Sequence, residues 1–191
     1  SALAANGLAA NAFVVTHTAA AAAGLSWAVI EWLRNGKPTM FGVASGAVAG
    51  LVAITPAAGF VSVIPAIIIG LLVSVFCYIA AAVVKPALGY DDALDAFGVH
   101  CIGGMWGALA TGLFASKLIN AAGNNGLFFG NPALFITQLK AVGATLLYAF
   151  VMTLILYKVV DFIMGIRVNE KEESMGLDLT QHRERAYTTL E

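Results

Sequence analysis

The side chain with the clearest capacity for chemistry is the imidazole of His100, set in the apolar stretch 91–116, DDALDAFGVHCIGGMWGALATGLFAS. An ionisable group at membrane depth is costly, and its default reading is a place on a solute or proton path. A neutral imidazole carries one donor and one acceptor, so it can guide a small polar solute or relay a proton. The other reading is a histidine hydrogen-bonded across a helix interface. At helical spacings from His100 lie Ala96, Phe97, Gly103, Gly104, Gly107 and Thr111, a face almost stripped of bulk. That stripe suits either a lumen wall or a tight helix contact. Ile102, Trp106, Leu109 and Leu113 form a second, bulky face, and Asp91 and Asp92 stand where they can cap the first turn.

The remaining polar candidates have plainer accounts. His17, in an alanine-rich span, reads as a hydrogen-bonded interfacial histidine. Thr55 reads as a partner for backbone freed by Pro56, with pore lining as the alternative. Lys158 and Asp161, three apart, read as a helix-face ion pair. Cys77 and Cys101 lie inside apolar segments, where cysteine is usually a small hydrophobe. His100 and Cys101 do not make a metal pair, because neighbours on a helix diverge by about 100°. No metal site, catalytic residue or cofactor is expected, since the spans hold neither a nucleophile–base pair nor metal-ligand spacing.

The elements that must position these groups follow from composition. Of 191 residues 60% are hydrophobic and 11% charged, with mean hydropathy +0.85, far from the soluble norm of about 25% charged. This is the composition of a polytopic all-α membrane protein. The net charge of -1 resides in loops and a tail, so no nucleic-acid partner is implied. Five spans are predicted, at about 8–33, 39–53 with a broken end reaching 60, 65–84, 93–116 and 132–165, after a leading segment 1–7. Gly42, Gly46 and Gly50 recur every four residues in the second, the pattern by which membrane helices approach closely. Thr55-Pro56 breaks that helix.

Arg34, Lys37, Lys85, Arg167 and Lys171 fall on one side if the spans alternate, which makes that side cytoplasmic by the positive-inside rule. The chain is then expected to start outside and to end in a cytoplasmic tail, 167–191, that reads as solvated. It lacks an initial methionine and any targeting signal at Ser1, and reads as an incomplete piece.

Four ordered motifs carry a resemblance. Ala12-Phe13-Val14, SGAVAGLVAITPAAGF at 45–60, DDxxDxFGVHxxxG at 91–104, and GIRV followed by GLD and HxExAY in the tail are similar to the ammonium transporter family (Amt/Mep/Rh), over roughly the second half of its sequence. The resemblance implies two inverted five-helix repeats plus a long final helix, a pore in each subunit, and a homotrimer in the cell membrane. This chain would run from the end of the sixth helix to the tail. His100 matches the second of two pore histidines, Ser1 matches a serine that helps bind ammonium at the outer mouth, and Asp92 matches a structural aspartate before the histidine. Gly176, Leu177, Asp178, His182, Glu184 and Tyr187, with Ala186, match a tail that docks PII-type signal proteins such as GlnK. Arg183 departs from it, since glycine is usual there and a turn with positive φ would be strained. The implied function is ammonium recruitment, deprotonation and ammonia conduction, with ammonium sensing on the same fold as the alternative.

Overall fold

A computed structural model describes residues 4–186, so Ser1 and Tyr187 lie outside the described residues. All regular structure among them is helical. The chain divides into two compact units, one up to Ala144 and one from Thr145 onward.

Helix α1 covers Gly7–Asn35. Asn6 starts it, its side-chain oxygen accepting from the Leu8 and Ala9 amides at 3.1 Å each, which supplies two of the donors a helix start leaves orphaned. Gly36 ends it at φ 77, its N–H donating to the Trp32 carbonyl. Val15, Ala19, Ala23, Trp27 and Glu31, four apart, form its buried stripe.

Helix α2, Met40–Ile54, begins at Thr39, whose hydroxyl accepts from the Gly42 amide. The glycine stripe is what brings α2 onto α1. A Cβ on Gly46 would stand 2.9 Å from the Ala23 carbonyl oxygen, and one on Gly50 2.6 Å from that of Ala19, so only bare backbone fits at this spacing. After Ile54 the chain turns through Pro56. The Thr55 amide takes the Val52 carbonyl that proline cannot, and the Thr55 hydroxyl donates to the Leu51 carbonyl at 2.7 Å.

Helix α3, Val63–Leu88, runs past the expected end at 84. The physical reason is a π-turn at Ala80–Val84, in which the Lys85 amide donates to the Ala80 carbonyl five residues back. The ladder is already out of α register when Pro86 arrives, so proline closes no helix there. Ser74, buried, donates to the Ala23 carbonyl at 2.6 Å, and Ser26 to that of Leu71. Hydroxyl-to-carbonyl bonds of this kind stitch α1 to α3 where burial alone gives no direction.

Helix α4, Phe97–Phe114, holds His100. It starts four residues later than the expected 93, because Ala93 and Leu94 form a turn and Asp95 adopts φ 53. Helix α5, Pro132–Met164, is 33 residues long with no buried residue. Lys158 and Asp161 are exposed on it, and no bond joins them among the described residues. α1, α3, α4 and α5 are each long and apolar enough to cross a membrane, while α2 is a shorter apolar helix. The chain is a multi-pass membrane protein of helical class.

The tail is folded rather than merely solvated. Helix α6, Glu170–Met175, is capped by Asn169 and followed by a π-turn at Asp178–His182. Arg167 pairs with Glu173, and Asp178 receives the Ala186 amide at 3.0 Å. Gly176 sits at φ 98, while Arg183 occupies the left-handed region at φ 58 where the resemblance expects glycine.

Candidate functional site

His100 occupies the first turn of α4, and that turn is a π-turn, Phe97–Cys101. The Ile102 amide donates to the Phe97 carbonyl five residues back, which inserts one residue into the helical phase. Insertions of this kind recur at functional sites, and here the consequence is geometric. Gly98 and Gly103, five apart, would sit about 140° from each other on a regular helix. In the protein both face α3: a Cβ on Gly98 would lie 3.5 Å from the Ala81 nitrogen, and one on Gly103 3.5 Å from Cys77 Sγ.

The bare stripe therefore divides. Gly107 packs so closely on α2 that a Cβ would stand 2.1 Å from the Ala53 carbonyl oxygen, whereas one on Gly104 would meet only Val52, at 4.0 Å. Gly103 and Gly107 make the tight helix contact, and they are not on an open face. His100 itself is exposed on the surface of the chain. The bulky face is anchored separately, with Trp106 Nε1 donating to the Ile69 carbonyl at 3.1 Å and Phe76 edge-on against its ring.

Depth follows from the antiparallel neighbour. Gly98 is level with Ala81 and Gly103 lies between Val73 and Cys77, so His100 is level with residues near 78 of α3. The midpoint of Val63–Leu88 is about three residues away, or about 5 Å at helical rise. An imidazole near the start of its own helix thus lies near the middle of the longer one.

What sets this turn is a small polar assembly. Asp92 accepts from the Ala96 amide through Oδ1 at 2.8 Å and from the Phe97 amide through Oδ2 at 3.0 Å. Lys85 Nζ donates to Asp95 Oδ1 at 2.5 Å and to the Asp92 carbonyl at 3.1 Å. The Asp95 carbonyl receives the Val99 amide. Beside the assembly is a cavity of about 340 Å³ lined by Leu88, Tyr90, Asp91, Asp92 and Phe97.

Of the residues expected at the site, His100 and Asp92 are brought together on one helix entry. Thr55 is exposed and bonded within its own helix. His17 is also exposed, its Nδ1 bonded to the Phe13 carbonyl and its ring 4.2 Å from that of Phe13. Gly176, Leu177, Asp178, His182 and Glu184 fall in the tail unit.

Sequence reasoning missed Glu31 and Asp95. Glu31, 8% exposed, accepts from the Thr39 amide at 2.7 Å, from the Thr39 hydroxyl at 3.0 Å and from Trp27 Nε1 at 3.3 Å. It pins the corner between α1 and α2. Its signal was visible, as the lone acidic residue of an apolar span. Asp95 stood out only as the third aspartate of the DDxxDxFGVH motif, because its role depends on a backbone dihedral and a partner ten residues away.

The sequence model of the Ammonium Transporter Family matches residues 1–187. The Bacillus subtilis (strain 168) ammonium transporter is 51% identical over 187 residues, 98% of this chain and 46% of that protein. Ammonium transporter Amt1 of Archaeoglobus fulgidus is 54% identical over 189 residues, 98% of this chain and 47% of its own length. The chain thus spans about half the length of these relatives. Among solved structures, Saccharomyces cerevisiae Mep2 superposes with TM-score 0.84 at 36% identity, over 93% of this chain and 41% of that one. A sensor Amt protein superposes with TM-score 0.82 at 26% identity, over 94% and 43%.

Proposed function

This chain belongs to the Ammonium Transporter Family, and we propose that it forms one side of an ammonia-conducting pore in which His100 is a wall residue. The observation that carries the reading is an imidazole exposed on the chain's own surface at about mid-span depth, on a turn tied down by Asp92 and Asp95. An exposed ionisable group at that depth needs a protein partner or water on its open side. The relatives are about twice as long as this chain, and the other half of such a protein is the natural cover.

The energetics favour shedding a proton over moving a cation. A bare ammonium in a hydrocarbon-like lumen costs on the order of tens of kcal/mol in the Born limit. Holding an amine of pKa about 10 neutral at pH 7 costs only about 4 kcal/mol, at about 1.4 kcal/mol per unit. Ammonia then crosses as a small polar neutral, and potassium, which has no proton to lose, is excluded. A neutral imidazole donates from one nitrogen and accepts at the other, which suits both guiding ammonia and passing its proton. Ser1 would assist ammonium at the outer mouth with its hydroxyl oxygen, and Asp92 would act by fixing the helix entry. The assembly proposed is a homotrimer in the cell membrane, with the tail at the cytoplasmic face and a PII-type protein such as GlnK as its partner.

The test is flux. Replacement His100→Ala in the intact protein should abolish ammonium uptake or convert it to an unselective cation leak, with the protein still inserted. Undiminished, selective uptake by that variant would remove the proposal. The superposition with a sensor Amt protein keeps ammonium sensing as the second reading. Absence of flux in the unmodified protein, with ammonium binding retained, would favour it.

A further inference from the structure

The two π-turns of the first unit face each other. The turn at Ala80–Val84 ends at Lys85, and the turn at Phe97–Cys101 is preceded by Asp95 at φ 53. A Cβ on Gly98 would lie 3.6 Å from the Ala80 Cβ and 3.5 Å from the Ala81 nitrogen, so the turns are in van der Waals contact at Gly98. At one end of that contact the Lys85 ammonium closes on the Asp95 carboxylate, with side chains only 25% and 22% exposed. The same ammonium also holds the Asp92 main-chain carbonyl. One cation thereby ties together the end of one π-turn and both residues that start the other.

A π-turn is a register choice. If Phe97–Cys101 relaxed to α geometry, the residues before and after it would rotate relative to each other by about 100°. Gly98 and Gly103 would no longer share the α3 face, and the direction of His100 would change with them. The Asp92 carboxylate alone does not prevent this, since capping the Ala96 and Phe97 amides fixes where the helix starts and leaves the register beyond them open. Asp95 does bear on it, because its carboxylate is held by Lys85 of α3, which fixes the residues before the turn relative to the same helix that Gly103 packs on after it.

We propose that Lys85 and Asp95 act as a positioning pair for conduction, locking the π register of Phe97–Cys101 and through it the direction in which His100 points. This rests on the conduction reading above. The pair touches no solute on its path; it acts through the histidine.

The experiment measures ammonium flux per inserted molecule in proteoliposomes of the intact protein, for Lys85→Met, Asp95→Asn and the double variant, with His100→Ala alongside. The maximal rate should fall about tenfold in each single variant at an unchanged half-saturating concentration, because recruitment at the outer mouth does not involve the pair. The double variant should lose no more than either single one, as expected of two groups acting as a unit. A merely structural clip would lower the amount of inserted protein and leave flux per molecule unchanged. Unchanged flux per molecule in either single variant, or losses that multiply in the double, overturns the proposal. His100→Ala separates the two claims: full selective flux there removes the conduction reading, whereas impaired flux there with full flux in Asp95→Asn removes the positioning pair alone.

Discussion

Glu31 gives the most demanding check on how the first unit is held. Replacing it by alanine leaves the Thr39 amide and the Trp27 indole N–H without their acceptor. A buried donor left unsatisfied costs about 1–3 kcal/mol, and bonds to a charged acceptor lie at the upper end. Thr39 is exposed, so water recovers part of its share, and the expected loss is about 2–4 kcal/mol. Glutamine keeps the shape and one oxygen, enough for the 2.7 Å bond from the Thr39 amide, and should cost about 1 kcal/mol. A second perturbation reaches the same group from outside. A Cβ on Gly42 would lie 2.1 Å from Glu31 Oε1 and 2.4 Å from its carboxyl carbon, so Gly42→Ala must evict the carboxylate. The two changes should therefore be strongly non-additive, with a coupling of about 2 kcal/mol, and Gly42→Ala should be nearly silent once Glu31 is alanine. Equilibrium unfolding of the intact protein in detergent measures all four corners of the cycle. Additive losses, or glutamine as harmful as alanine, would refute the account of Glu31 as a hydrogen-bonding pin.

Three further outcomes follow from individual contacts. Gly107→Ala must part α2 from α4 by about 1 Å and should destabilise by about 1–3 kcal/mol, while Gly104→Ala, three residues earlier and meeting only Val52 at 4.0 Å, should cost less; equal effects in an unfolding titration would contradict the division of the stripe. Arg183→Gly should relieve the left-handed strain at φ 58 by about 1 kcal/mol, seen as about fivefold slower exchange of the Glu184 amide, which donates to the Asp178 carbonyl. The Ala186 amide, donating to Asp178, holds that carboxyl below its ordinary value of 3.8. A depressed pKa stabilises the folded turn above the unfolded value and loses that contribution as pH falls through the folded one, so Ala186 amide protection should persist at pH 5 and neutrality, vanish on acidification below 3.8, and be absent at all pH in Asp178→Ala.

Relatives sharing the fold sit behind these expectations, yet the local determinants are this chain's own. Helix entries at Asn6 and Thr39, the glycine approach of α2 to α1 and the proline break after Ile54 follow from residue types at fixed offsets, which a linear reading can weigh. The tail was read as solvated because composition speaks only of charge, whereas its order comes from Asn169, Asp178 and an Arg167–Glu173 pair that composition does not reveal.

The amino-acid order by itself determined that this chain spans a membrane with apolar helices, that α2 would pack through glycine, and that His100 was the group to explain. These are consequences of local composition and periodicity, which need no knowledge of what lies opposite. Only the tertiary structure decided that Gly107 packs while Gly104 does not, that α3 carries on through Pro86, and that His100 rides on a π-turn tied by Lys85 and Asp95. A regular 3.6-residue period assumes unbroken phase, and one inserted residue shifts everything before it by about 100°. The residue that absorbs such a shift is chosen by contacts between helices, and those exist only once the chain has folded.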